Sequence, residues 1–203
     1  MVDTLLYIDN LKIYAKITEP DGKYPVERTA KTMKNYVYFR PTPETLEELK
    51  AQYRKLAMTH HPDKGGDTET MKKVNAEYDL LFPKLKDVHK TKDGQTYTAN
   101  KTTTETAEDF KDLINVLMRM DDIIIEIIGC FVWVTGETKP HREQLKELKF
   151  QWHSKKYAWY LKPENYHRKS RKEYKLDEIR RMYGTSGQVN SNGTIKIDEA
   201  ESA

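Results

Sequence analysis

Cysteine is nearly absent: the 203 residues contain one, Cys130, so neither an internal disulfide nor a four-cysteine zinc site can form within the chain. Long apolar runs are missing too. The most hydrophobic stretch, Ile123 to Val134, is too short to cross a bilayer and contains Glu126. Met1-Val2-Asp3 does not open a basic stretch followed by a long apolar one. Together these deficits predict a cytoplasmic protein in a reducing compartment, with no membrane partner. The chain also lacks a phosphate-binding glycine loop, a nucleophile elbow and any spacing of metal ligands, and the scattered His141, Glu143 and His153 do not supply one. No cofactor, no metal and no catalytic residue are therefore expected.

What is present is charge, unevenly placed. Net charge is only +3, yet between Thr138 and Tyr183 fourteen Lys/Arg stand against six Asp/Glu, an excess of eight, while the tail from Asp198 to Ala203 is acidic. Such asymmetry points to an anionic partner for the second half. With 37% hydrophobic residues and a third of the chain charged, cores are expected to be modest, and the length suits one or two small domains.

Residues 1–35 read as an extension with a strand or hairpin, because apolar and polar residues alternate from Leu11 to Ile17 before the turn signal Pro20-Asp21-Gly22. Helical periodicity then begins after Thr42-Pro43, a cap and a proline suited to a first helical position, with Leu46, Leu49, Tyr53 and Leu56 on one stripe. Pro62 stops that helix at His61. A second helix opens near Asp67 or Thr68 and carries Met71, Val74, Tyr78, Leu81 and Leu85, with Pro83 predicting an end or a bend at Phe82. Two amphipathic helices joined by a short loop pack as an antiparallel hairpin with a proline-shaped tip.

Tyr53-Arg54-Lys55-Leu56-Ala57, His61-Pro62-Asp63-Lys64 and Asn75-Ala76-Glu77-Tyr78 with Leu81 resemble helices II and III of the J-domain, the family typified by DnaJ, over roughly residues 36–89. His-Pro-Asp alone is a weak signal, but here its helical flanks agree with it. The resemblance implies docking on the nucleotide-binding domain and linker of a DnaK-type chaperone, whose hydrolysis-competent state is then favoured. It implies a binding set of His61, Pro62, Asp63 and Lys64 at the tip and Lys50, Arg54 and Lys55 on the helix before it. Pro62 narrows the conformers of the tip, Asp63 can accept charge-assisted hydrogen bonds from a partner arginine, and the cations suit steering toward an acidic surface. The bland reading is a helix stop with a capping Asp and a solvated basic face. Two departures from the family stand out. Tyr36-Val37-Tyr38-Phe39 carries no full helical pattern for the first helix, and Glu77 stands where alanine is common, which predicts a more open side of the hairpin. No glycine/phenylalanine-rich linker or cysteine-rich zinc domain comes after the hairpin.

Residues 90–105 read as a polar linker, and 106–183 as a small basic α+β domain, with a helix over Phe110 to Leu117, strands Ile123–Ile128 and Phe131–Thr135, a helix over 138–148, an aromatic hairpin through Ser154-Lys155-Lys156 and a closing helix. Gly184 onward, rich in Gly, Ser and Asn, reads as a disordered tail. The fold class is thus α+β: a helical-hairpin J-domain followed by a small α+β domain. Val132-Trp133-Val134-Thr135-Gly136, Thr138-Lys139-Pro140-His141, Leu145-Lys146, Phe150-Gln151-Trp152, Lys155-Lys156 and Trp159-Tyr160 resemble the C-terminal region of short J-domain proteins from phages, plasmids and related bacterial elements.

In this second region Trp152 and Trp159 interleave with Lys155 and Lys156, and Arg168, Lys169, Arg171 and Lys172 come soon after. Aromatic faces with cations suit stacking on bases and neutralising phosphates, so DNA, RNA or a replication complex is one expected partner. A core role for the tryptophans and a solvated basic loop remain the other reading. So does a nucleic-acid-binding protein whose helical hairpin is only a scaffold.

Overall fold

The computed structural model describes residues 7–9, 12–14, 36–163, 166, 172–184, 188–190 and 195–196. Met1–Val37 form one unit and Tyr38–Ala203 another. In the first, β1 (Tyr7–Asp9) and β2 (Lys12–Tyr14) pair antiparallel, Tyr7 opposite Tyr14 and Asp9 opposite Lys12. The two paired strands lie earlier in the chain than the alternation predicted, and Pro20-Asp21-Gly22 lies outside the described residues.

Tyr38 and Phe39 lie in a bend and not in a helix, and what holds them is Glu77. Its Oε2 accepts the N–H groups of Tyr38 at 3.0 Å and Phe39 at 3.3 Å, while Phe39 is fully buried and packs on Tyr78. Glu77 therefore closes that side of the hairpin instead of opening it, because its carboxylate supplies the acceptor that two non-helical backbone donors need.

Helix α1 (Leu46–His60) starts later than Thr42-Pro43 suggests. Thr45 caps it, its hydroxyl accepting Glu48 N–H at 3.3 Å, and the Thr-x-x-Glu spacing is the stronger start signal. A 3-10 turn (Pro62–Lys64) forms the tip, and α2 (Thr68–Leu85) comes next, capped by Asp67. α2 does not stop at Phe82: Lys86 N–H still reaches Phe82 C=O at 2.8 Å across Pro83, so the proline removes one donor near an end that has few bonds left to lose.

The polar stretch 90–105 is no open linker, since β3 (Val88–Lys90) pairs with β4 (Thr96–Thr98), and His89 on it meets Glu47 of α1 at 2.6 Å. α3 (Ala107–Met118) begins with a reciprocal capping box of Thr106 and Asp109. Then come β5 (Ile123–Ile128), β6 (Phe131–Gly136), α4 (Arg142–Glu147), β7 (Gln151–His153), β8 (Ala158–Leu161) and α5 (Leu176–Tyr183). Two strands, β9 (Gln188–Asn190) and β10 (Ile195–Lys196), occupy the region expected to be a disordered tail and extend the sheet, whose order is β10-β9-β5-β6-β8-β7 and whose pairings are all antiparallel. Gly/Ser/Asn composition gave no sign of the backbone pairing that an open edge of β5 offers.

No physical boundary separates the hairpin from the third helix. Tyr53 of α1 and Tyr78 of α2 have ring centroids 4.5 Å apart, and Phe110 of α3 lies 6.1 Å from each, so α3 completes the core of the hairpin. Lys111 of α3 is tied to Asp79 of α2 at 3.0 Å. A second core forms behind the sheet from Ile128, Trp133 and Ala158, against which Leu176 and Ile179 of α5 pack. Strand alternation places Ile123, Ile125 and Ile127 on the opposite face of β5 from Glu126 and Ile128. All these isoleucines are buried, as expected of a strand covered on both sides.

Candidate functional site

The tip is built by short-range bonds. Proline after His61 ends α1, whose last bond runs from His61 N–H to Ala57 C=O at 2.8 Å, and leaves His61 in extended backbone. Lys64 and Gly66 N–H both return to His61 C=O at 2.9 Å, and Gly65 N–H to Pro62 C=O at 2.9 Å. Gly65 sits at φ +81°, and a Cβ on Gly66 would lie 2.2 Å from the carbonyl carbon of His60. The two glycines are thus required by conformation and close approach, a role that the Gly-Gly pair ahead of Asp67 signals in sequence.

Within this frame His61 and Asp63 have opposite environments. The His61 ring is buried and its Nδ1 accepts Asp63 N–H at 3.1 Å, so the ring orders the backbone that carries the carboxylate. The Asp63 side chain is 47% exposed, and its Oδ2 accepts from Nε of Arg119 at 3.2 Å, a residue just past α3 whose own side chain is 70% exposed. Pro62 and Lys64 are exposed. A shallow hollow beside the tip is lined by His61, Pro62, Met71, Asn75 and Asn115.

The helix flank departs from expectation. Arg54 is fully buried and its Nη1 donates to Ile125 C=O of β5 at 2.6 Å. Burial pushes its guanidinium down to about 10, a shift that the charge of Glu126 opposes, so it stays protonated at neutral pH. Lys50 is largely buried as well, its Nζ 2.6 Å from Glu105 and 4.8 Å from the centroid of Phe110. Neither cation belongs to an accessible steering face. Their four-residue spacing, taken as a solvated flank, is the side that β5 and α3 cover. Of the three helix cations only Lys55 is exposed, and partial burial of its stem, then the nearby Arg54, hold its ammonium below the usual lysine range.

Sequence reasoning missed the residues behind this arrangement. Glu126, 2% exposed in the middle of β5, is gripped by Arg180 of α5 through Nε at 2.9 Å and Nη2 at 2.7 Å, a two-pronged pair that also draws in Asp177. A lone carboxylate inside Ile-Ile-Ile-Glu-Ile-Ile was the available signal, since a buried charge demands a partner. Arg119 carried no signal at all. Burial pushes the Cys130 thiol up to about 12.

The second expected site is only partly assembled. On the edge strand β7, Trp152 is 46% exposed, and it lies 5.5 Å from Trp159, which is buried. Lys155 pairs with Glu173, and Lys156 is 3.0 Å from His153. Lys172 Nζ sits 5.0 Å from the ring centroid of Tyr174. Arg168, Lys169 and Arg171 lie outside the described residues. Tyr157, at φ +49° in the turn and 79% exposed, stands beside this group and was not anticipated. Among the described residues no cluster of His, Cys, Asp and Glu could hold a metal ion, and no helix is long and apolar enough to cross a membrane.

Residues 41–87 match the family model of the DnaJ domain. The chain is 42% identical over 50 residues to the rice (Oryza sativa subsp. japonica) chaperone protein dnaJ A6, a stretch that is 24% of this chain and 12% of that protein. It is 51% identical over 37 residues to DnaJ protein homolog 2 of Allium porrum, 18% of this chain and 9% of that protein. Over 35 residues it is 49% identical to the small t antigen of budgerigar fledgling disease virus, covering 17% of this chain and 24% of that one. The chain therefore spans a small part of the length of each relative. No solved structure matches it.

Proposed function

We propose, with the DnaJ domain at residues 41–87 as premise, that this protein is a co-chaperone: its tip docks on a DnaK-type chaperone and stimulates that partner's ATP hydrolysis, without catalysing anything itself. The observation that carries the reading is the Asp63 carboxylate, held at an exposed corner by a buried histidine ring, a proline and two constrained glycines. A short carboxylate presented on a rigid turn loses little conformational entropy on docking and can accept from an arginine of the partner. Its neighbours Lys55 and Lys64 remain in solvent to speed a weak encounter with an acidic surface.

A single-turnover ATPase assay with purified chaperone tests this. Stimulation is expected with the wild-type chain and is expected to fall ~10-fold or more in Asp63→Asn. Equal stimulation by both, or none from the wild type, contradicts it.

For the sheet module the reading is client recruitment, the client being nucleic acid or a complex on it, in the setting of a phage or other mobile element and in the cytoplasm. Exposed Trp152 and Tyr157 beside Lys155 and Lys156 support it. Salt-sensitive binding of a single-stranded oligonucleotide, weakened several-fold by Trp152→Ala, is the expected result; binding unaffected by the substitution excludes this surface.

A further inference from the structure

We propose that the module after the hairpin restrains the tip: Arg119 occupies Asp63 in the way a partner's arginine would, so the docking carboxylate is held in an internal ion pair until a competing arginine displaces it. This rests on the chaperone reading above and adds a regulatory contact to it.

Asp63 offers Oδ2 to Arg119 Nε at 3.2 Å, with the arginine side chain largely in solvent and the carboxylate about half exposed. The two residues are 56 positions apart, one on the 3-10 turn and one at the C-terminal cap of α3, so the contact exists only because α3 packs into the hairpin core. The same module also removes two cations from the docking flank, Arg54 to the Ile125 carbonyl and Lys50 to Glu105. Of the charged members of the binding set Asp63, Lys55 and Lys64 remain, and Arg119 takes the first of them.

The pair is a restraint of modest depth. Ion pairs this exposed are weak and salt-screened. A chaperone arginine in a desolvated interface can therefore outcompete Arg119, at the cost of a raised half-saturating concentration and not of lost activity. The side chain of Arg119 is not part of any core, so removing it leaves the fold intact.

The test is a titration of chaperone ATPase with full-length wild type, Arg119→Ala, Arg142→Ala as an exposed-arginine control, and Asp63→Asn. Arg119→Ala is expected to lower the half-saturating concentration about two- to fivefold, with Arg142→Ala unchanged. In the free protein, the Arg119 Nε–H resonance is expected to shift in Asp63→Asn. Asp63-dependent stimulation that Arg119→Ala leaves the same or weakens overturns the restraint while keeping the chaperone reading. An Arg119 resonance indifferent to Asp63→Asn overturns it as well. If neither the wild type nor Arg119→Ala stimulates, the chaperone reading falls and the restraint falls with it.

Discussion

Four Lys/Arg side chains stand between Lys50 and Lys64, and they meet two fates. Lys50 and Arg54 point into the molecule, one against Glu105 and Phe110, the other against the backbone of β5. Lys55 and Lys64 point into solvent. Residue type does not decide between these outcomes; position does, since on α1 residues four apart share a side and Lys55, one step on, faces elsewhere, while Lys64 lies beyond the helix on the tip. A basic helix next to an exposed tip can thus be half solvent-facing and half scaffold.

Substitution along that series should separate the two roles. Arg54→Ala is expected to destabilise the protein most, on the order of 3 kcal/mol, because it opens a cavity, removes a charged donor from Ile125 C=O and leaves Glu126 with less compensating charge; chemical denaturation reads the loss. Lys50→Ala is expected to cost about 1 kcal/mol, from a partly buried pair and an aromatic contact. Lys55→Ala should change stability by less than about 0.5 kcal/mol and instead slow association with the chaperone a few-fold at low salt, an effect that fades as salt rises. If Lys55→Ala unfolds the protein, or Arg54→Ala alters only association, the division into scaffold and docking cations is wrong.

The sequence was legible where local chemistry decides. Pro62 after His61 ended α1, Asp67 capped α2, and the stripe Tyr53, Tyr78, Leu81 gave the hairpin core; Gly129 separated β5 from β6. It misled where tertiary packing overrides local pattern. Nothing in Lys50-x-x-x-Arg54 distinguishes a solvated flank from a buried one, because long cationic side chains serve both. Thr102 to Glu105 looks like linker until Glu105 meets Lys50, and the Ser/Gly/Asn-rich end looks unstructured until β9 pairs with β5. Glu77, Glu126 and Arg119 act through partners 38 to 56 residues away, a separation that no window along the chain can see.

Whether the tip is the docking surface is decided most sharply by a chaperone titration followed through the amide resonances of the labelled full-length protein. Perturbations centred on His61 to Gly66, reaching Lys55 and the Arg119 turn and sparing Lys50 and Ile125, are the predicted result. Perturbations centred on Lys50, Arg54 and β5 with the tip unaffected, or none anywhere, would contradict it.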